Sequence, residues 1–185
     1  MCNGHHFLHN RVSKNETPKV KKSLTWSSVN PKRTLPPILF PSQSFLEKLG
    51  AETIYKIVLH HHRLLQKSSI AHLYPTDDAH FLEGVAKASH FLIQALGGGD
   101  VYTSNYGSPA MCRTHAPFPI DDNAREVWLM MYKQTLHDLD FPKALIEEFW
   151  NWIEPFSLRM VTRRSEKTHL IRFPYAAMKK EFGIQ

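Results

Sequence analysis

Twelve of the 185 residues are histidines, and these are the side chains whose type and spacing could carry chemistry. His5, His6 and His9 fall in a stretch with no apolar periodicity, where solvated surface imidazoles are the ordinary expectation. His60, His61 and His62 are consecutive in a helical segment. Neighbours on a helix point ~100° apart, so the three cannot grip one ion from one face. His61 shares the apolar face of Ile54, Ile57, Val58 and Leu65, with His62 on its flank. His115 ends a short helical turn and is followed by Ala116-Pro117-Phe118-Pro119. The prolines stop the helix and fix the backbone just beyond the ring. A rigidly held neutral imidazole is what an axial iron ligand requires, with its second nitrogen bonded to a carbonyl; a buried structural histidine is the alternative. The only cysteines, Cys2 and Cys112, allow neither a disulfide framework nor a paired-cysteine zinc site. A reducing cytoplasm is the expected location.

The elements that must position these groups are helical. Ser44 and Glu47 have capping-box spacing and Gly50 is a stop. A second helix follows, with the stripe Ile54, Ile57, Val58, His61, Leu65. Tyr74-Pro75-Thr76-Asp77-Asp78 is a turn, with Asp78 a cap for a third helix that stops at Gly97-Gly98-Gly99. Its stripe (Phe81, Gly84, Val85, Ala88, Phe91, Leu92, Ala95) has small residues at its centre. Either a closely approaching helix or a flat, bulky ligand must fill that space. Residues 99–120 read as irregular, with one short turn at Ala110–His115. A helix over 121–140 places Ala124, Trp128, Met131 and Thr135 on one face. The last long helix, 142–164, turns Leu145, Phe149, Trp152 or Ile153, Phe156 and Met160 inward, with a kink at Pro155. A short helix is expected at Ala176–Phe182. No segment alternates with period two, so no sheet is expected.

Charge divides the chain in the same way. Residues 1–43 hold seven Lys/Arg and one acid, residues 163–185 six and two, and the body between them ten and fourteen. The basicity belongs to a proline-containing arm and a tail, while the body is mildly acidic. A phosphate-backbone groove needs bases clustered on the body, so nucleic acid is not an expected partner. No run of 18 apolar residues exists, so no membrane span is expected.

Several separate motifs then agree in spacing: Leu96-Gly97-Gly98-Gly99-Asp100-Val101-Tyr102, Tyr106-Gly107-Ser108-Pro109, His115-Ala116-Pro117-Phe118-Pro119-Ile120, and Trp128. Together they resemble the truncated haemoglobins, especially their second group, over residues 44–164. The resemblance implies an all-α globin-like fold, a two-over-two helical sandwich around one haem b (iron protoporphyrin IX). It divides the chain into an arm (1–43), a truncated globin domain (44–164) and a tail (165–185). It implies that His115 is the proximal iron ligand. Phe91, Lys87, Tyr102, Ala88 and Trp128 would join it in holding haem, with Lys87 reaching a propionate. His61, His62, Tyr74 and Trp128 would line the distal side. Gly84 and Ala88 would leave room for a ligand. Two positions depart from the family pattern. His61-His62 stands where Phe-Tyr is usual, so either histidine takes the tyrosine's place. Thr114, with Arg113 before it, stands where a basic residue commonly precedes the proximal histidine. The function so implied is reversible binding of oxygen or another diatomic ligand with polar distal stabilisation. The rival is a redox enzyme on the same scaffold, a nitric oxide dioxygenase or a peroxidase-like protein. No flavin or nicotinamide fingerprint is present, so a separate reductase would have to serve it. A second rival is a helical module that binds an acidic partner through its basic ends.

Overall fold

The computed structural model describes residues 35–42, 44–164 and 170–184. The arm histidines 5, 6 and 9 lie outside the described residues, as does most of the basic arm. Among the described residues there is no strand.

Helix α1 (Ser44–Leu49) meets α2 (Ala51–Leu65) at Gly50, whose φ of +83° suits glycine and few other residues. The α2 stripe is buried as its spacing predicts: Ile54, Ile57, Val58, His61 and Leu65. A 3-10 turn (Ala71–Leu73) leads to α3 (Asp78–Ala95). The cap of α3 is Asp77 rather than the expected Asp78: its side chain accepts from the His80 N–H at 3.0 Å. The small-centred stripe of α3 divides. Phe81, Val85, Ser89, Phe91 and Leu92 are buried, whereas Gly84 is exposed and Ala88 half-buried.

The stretch after Gly99 holds more order than expected. Helix α4 (Val101–Tyr106) precedes the expected short α5 (Met111–His115). Asp100 gives α4 no side-chain cap. The Gln94 side chain of α3 does so instead, accepting from the N–H groups of Tyr102 and Thr103, both at 2.9 Å. Helix α6 (Asp122–Asp138) starts at Asp121, which accepts from the Ala124 N–H at 2.7 Å. Its buried face lies one residue round from the expected one: Arg125, Leu129, Tyr132 and Leu136 are buried, with Ala124 and Thr135, while Trp128 and Met131 are half-buried. Helix α7 (Lys143–Ser157) ends two residues after Pro155, short of the expected 164, because proline removes an N–H from the ladder.

The core joins Phe45, Phe149, Trp150, Trp152 and Ile153 with the α2 and α3 stripes. Each such side chain contributes roughly 1.5–3 kcal/mol by burial. Helix α2 is the hub. Helices α3 and α6 both pack on it, and they do not pack extensively on each other.

Both flanking segments touch this body. In the 35–41 segment Ile38 packs on the core, whereas Leu39 is 67% exposed and Phe40 44%. Arg159 donates to the Pro36 carbonyl at 2.7 Å. The tail ends in α8 (Tyr175–Met178) and a 3-10 turn, Lys179–Phe182. Met178 is buried, and Phe182 lies edge-on against Trp150 at 5.1 Å. A buried ion network fixes this tail. Glu154 accepts from Arg125 Nη2 at 2.6 Å, from Arg172 Nη2 at 2.7 Å and from the Phe173 N–H at 3.2 Å. Arg125 also donates to the Ile171 carbonyl at 2.7 Å.

Candidate functional site

His115 sits at the C-terminal end of α5, half-buried. Its Nδ1 lies 2.8 Å from the Met111 carbonyl. A carbonyl can only accept, so Nδ1 carries the proton and Nε2 holds the lone pair. Burial lowers the pKa of the ring and keeps it neutral, against the opposing pull of that hydrogen bond. A helix end, a fixed tautomer and an Nε2 with its lone pair free suit this imidazole to bind a metal.

On α3, Gly84 borders open space: a Cβ built there would meet nothing within 4 Å. Phe91 is buried, stacked on Phe156 at 5.4 Å and edge-on to Tyr102 at 5.7 Å. Tyr102 is buried, and the Lys87 ammonium lies over the Tyr106 ring, 5.4 Å from its centroid.

The histidines of α2 part company. His61 is fully enclosed, and its Nε2–H donates to the Trp128 carbonyl at 3.0 Å. Its ring stacks on Tyr132 at 3.6 Å and meets Trp128 edge-on at 5.2 Å. Its Nδ1 is sealed in the core without a partner. Burial, reinforced by the neighbouring His62, holds its pKa well below the usual range. His62 turns the other way. Its Nδ1–H donates to the Val58 carbonyl at 2.8 Å, and its ring lies edge-on to Tyr74 at 5.7 Å and Phe81 at 6.4 Å. Desolvation lowers its pKa too, in spite of that hydrogen bond. Neither neutral histidine therefore has an N–H to spare. Tyr74 and Trp128 do: neither the Tyr74 hydroxyl nor the indole Nε1–H has a hydrogen-bond partner among the described residues. Burial pushes the Tyr74 hydroxyl far above its ordinary pKa, so it stays a donor.

The structure thus brings His61, Trp128 and Tyr132 into one contact group and His62 with Tyr74 into its neighbour. Trp128 joins the two apolar clusters of the molecule. Tyr132 was missed by sequence reasoning. Its signal was its position four residues after Trp128, on the same side of α6. A separate groove of about 500 Å³, lined by Lys133, His137, Phe141, Lys143, Glu181 and Phe182 among others, shares no residue with this group. Among the described residues no cluster of three or more His, Cys, Asp or Glu side chains could hold a metal ion.

Residues 44–162 match the bacterial-like globin family. The chain is 26% identical over 118 residues to the group 2 truncated hemoglobin YjbI of Bacillus subtilis, covering 63% of this chain and 87% of that protein. Among solved structures, phosphate-bound Hell's gate globin IV is 38% identical, with a TM-score of 0.77 over 80% of this chain and 93% of that one. The truncated oxygen-avid haemoglobin of Bacillus subtilis is 25% identical, with a TM-score of 0.59 over 63% and 98%. A haem cofactor is implied by these relationships, and the lone imidazole and the uncovered face of α3 suit one. The chain belongs to the bacterial-like globins, with the helical fold of the group II truncated haemoglobins.

Proposed function

We propose that this globin binds oxygen or another diatomic ligand reversibly at a haem b whose iron is held by His115. The observation that carries the reading is the His115 tautomer. The Met111 carbonyl accepts from Nδ1–H, which leaves Nε2 as the atom to hold the iron. A haem bound here would supply the iron that takes the diatomic ligand; the side chains do the rest. Phe91, Tyr102 and Ala88 offer apolar walls to the macrocycle. Lys87, now resting on Tyr106, is long enough to reach an exposed carboxylate instead.

On the distal side, Trp128 Nε1–H and the Tyr74 hydroxyl are the donors toward a ligand that gathers negative charge. Each such bond is worth about 1 kcal/mol net, and more in a dry pocket. His61 acts behind them. Its bond to the Trp128 carbonyl and its stack on Tyr132 set the register of α6 and so the height of the indole. His62 closes the pocket beside Tyr74. Gly84 leaves the entrance clear.

The test is the absorption spectrum of the purified protein, or of protein given haemin, with and without dithionite and carbon monoxide. A sharp Soret band that shifts with carbon monoxide is expected. His115→Gly should lose it and recover it with added imidazole. A wild-type protein that takes up no haemin would remove the reading.

A further inference from the structure

The segment ahead of α1 lies as a strap along α7. The Pro36 carbonyl accepts from Arg159, just past the C-terminal end of that helix. The Phe40 ring meets Trp152 at 6.2 Å, and the Ser42 N–H bonds Glu148 nearer the other end. Extended chain turns successive side chains to opposite sides. Ile38 therefore packs inward, and Leu39 is the most exposed of the large apolar side chains described. The surface where the strap begins is basic. Burial lowers the Arg159 pKa, and the charge of Arg164 beside it adds to the effect, against Cys112. Arg163 is exposed, and its N–H bonds the Ile120 carbonyl at 2.9 Å. Its neighbour Thr162 bonds the carbonyl of Phe118, another exposed aromatic. The acids of this region are already engaged: Asp121 accepts from the Ala124 N–H, Asp122 attracts Arg125, and Glu148 holds the strap. All seven Lys/Arg and the one acid of residues 1–43 lie ahead of Leu35, so the chain reaches this corner with a net charge of seven less one, +6.

We propose that this corner of the molecule docks on an anionic lipid surface. Leu39 and Phe40 enter the boundary between headgroups and acyl chains, while Arg163 and the bases ahead of Leu35 meet the lipid phosphates. The inference is independent of the haem reading. An apolar anchor and a basic segment are each marginal for a bilayer, and together they hold. This chain sets the two side by side, with Lys32 and Arg33 a few residues before Leu39. The strap cannot fold Leu39 away, because Ile38 in the core and Phe40 on Trp152 fix its direction. A bilayer asks for no concave site, and the groove beside Phe141 and Phe182 shares no residue with the strap. A protein partner would need matching relief over a far larger area. A nucleic-acid backbone would match the charge but has no use for a leucine held out in water.

The experiment is co-sedimentation of the full-length protein with vesicles at neutral pH. One set is phosphatidylcholine alone, the other equal parts phosphatidylcholine and phosphatidylglycerol. Capture by the mixed vesicles only is expected. Raising the salt from about 0.1 M to about 1 M shortens the Debye length from about 10 Å to about 3 Å and should release most of the protein. Leu39→Ser leaves every charge in place and should weaken binding to the mixed vesicles about tenfold. The triple variant Lys19→Gln, Lys21→Gln, Lys22→Gln should weaken it about a hundredfold. Both variants should keep the wild-type melting temperature, since Leu39 is exposed and the lysines precede the strap. No capture by the mixed vesicles, or equal capture by the neutral ones, would overturn the proposal. So would Leu39→Ser binding like wild type while polyglutamate or a DNA duplex is captured as well as the vesicles are, which would point to a polyanion as the partner. Failure to take up haemin bears on the globin reading alone and is scored by the Soret band.

Discussion

Replacing Glu154 by alanine should unseat the tail and destabilise the whole domain. The Glu154 and Arg125 side chains are each only 2% exposed and meet at 2.6 Å. Without it, a guanidinium is left in the interior with the Ser157 hydroxyl and backbone carbonyls as its partners. Breaking a buried pair from one side costs about 3–5 kcal/mol. At roughly 2–4 °C per kcal/mol for a chain of this size, the melting temperature should fall by about 6–20 °C. Arg172→Ala is the control. That side chain is 25% exposed and its loss leaves the Arg125–Glu154 pair intact, so a cost of about 1 kcal/mol is expected. The pH dependence follows the same pair. Burial alone would raise the Glu154 pKa, but Arg172 and Arg125 overcome it and hold the carboxyl below its ordinary 4.5. A group with a depressed folded pKa contributes its full stability above the unfolded value and loses it as pH falls through the lowered one. Wild type should therefore weaken steeply below about pH 4.5, and Glu154→Ala less steeply. Thermal melts followed by circular dichroism from pH 7 to pH 3 measure both effects. A Glu154→Ala protein melting within about 2 °C of wild type, or no more damaged than Arg172→Ala, would refute the reasoning.

Trp128→Leu removes one distal donor, so oxygen dissociation from the reduced protein should quicken about five- to tenfold by flash photolysis or stopped flow. His61→Phe keeps the stack on Tyr132 and removes both the enclosed, unpartnered Nδ1 and the Nε2–H bond to the Trp128 carbonyl; the two losses oppose, so the melting temperature should change little, whereas His61→Ala should cost about 2–4 kcal/mol in chemical denaturation. Gly98→Ala would place a Cβ 2.8 Å from the Ile93 carbonyl oxygen and closer still to the Ile93 side chain; a loss of about 1–3 kcal/mol is expected in urea titration. Gly84→Ala meets open space and should stabilise haem-free protein by up to about 1 kcal/mol, while Gly84→Phe should slow carbon monoxide association.

The parts of the molecule legible in the sequence are those set by local pattern. The α2 stripe needed only helical spacing, and the tight turn at His115 needed only the prolines behind it. Helix α4 could not be read, because its N-terminal partner is the side chain of Gln94, brought there by tertiary packing. The α6 face was displaced by one residue because a charged residue, Arg125, holds the most buried position of its turn, and only its partners on α7 and the tail explain that. His61 and His62 were both readable as polar groups near a pocket. Which nitrogen of each bears hydrogen depends on the carbonyls they meet, one of them 67 residues away.

Arg125 and Trp128 lie three residues apart on α6, so whatever pins the arginine also steadies the indole. The pins include Glu154 and the Ile171 carbonyl, and the latter lies past the stretch that matches the globin family. During synthesis, with the N-terminal part emerging first, the guanidinium cannot find its last partner until the tail has cleared the ribosome. The surroundings of Trp128 are therefore completed only by residues made after the globin-matching stretch.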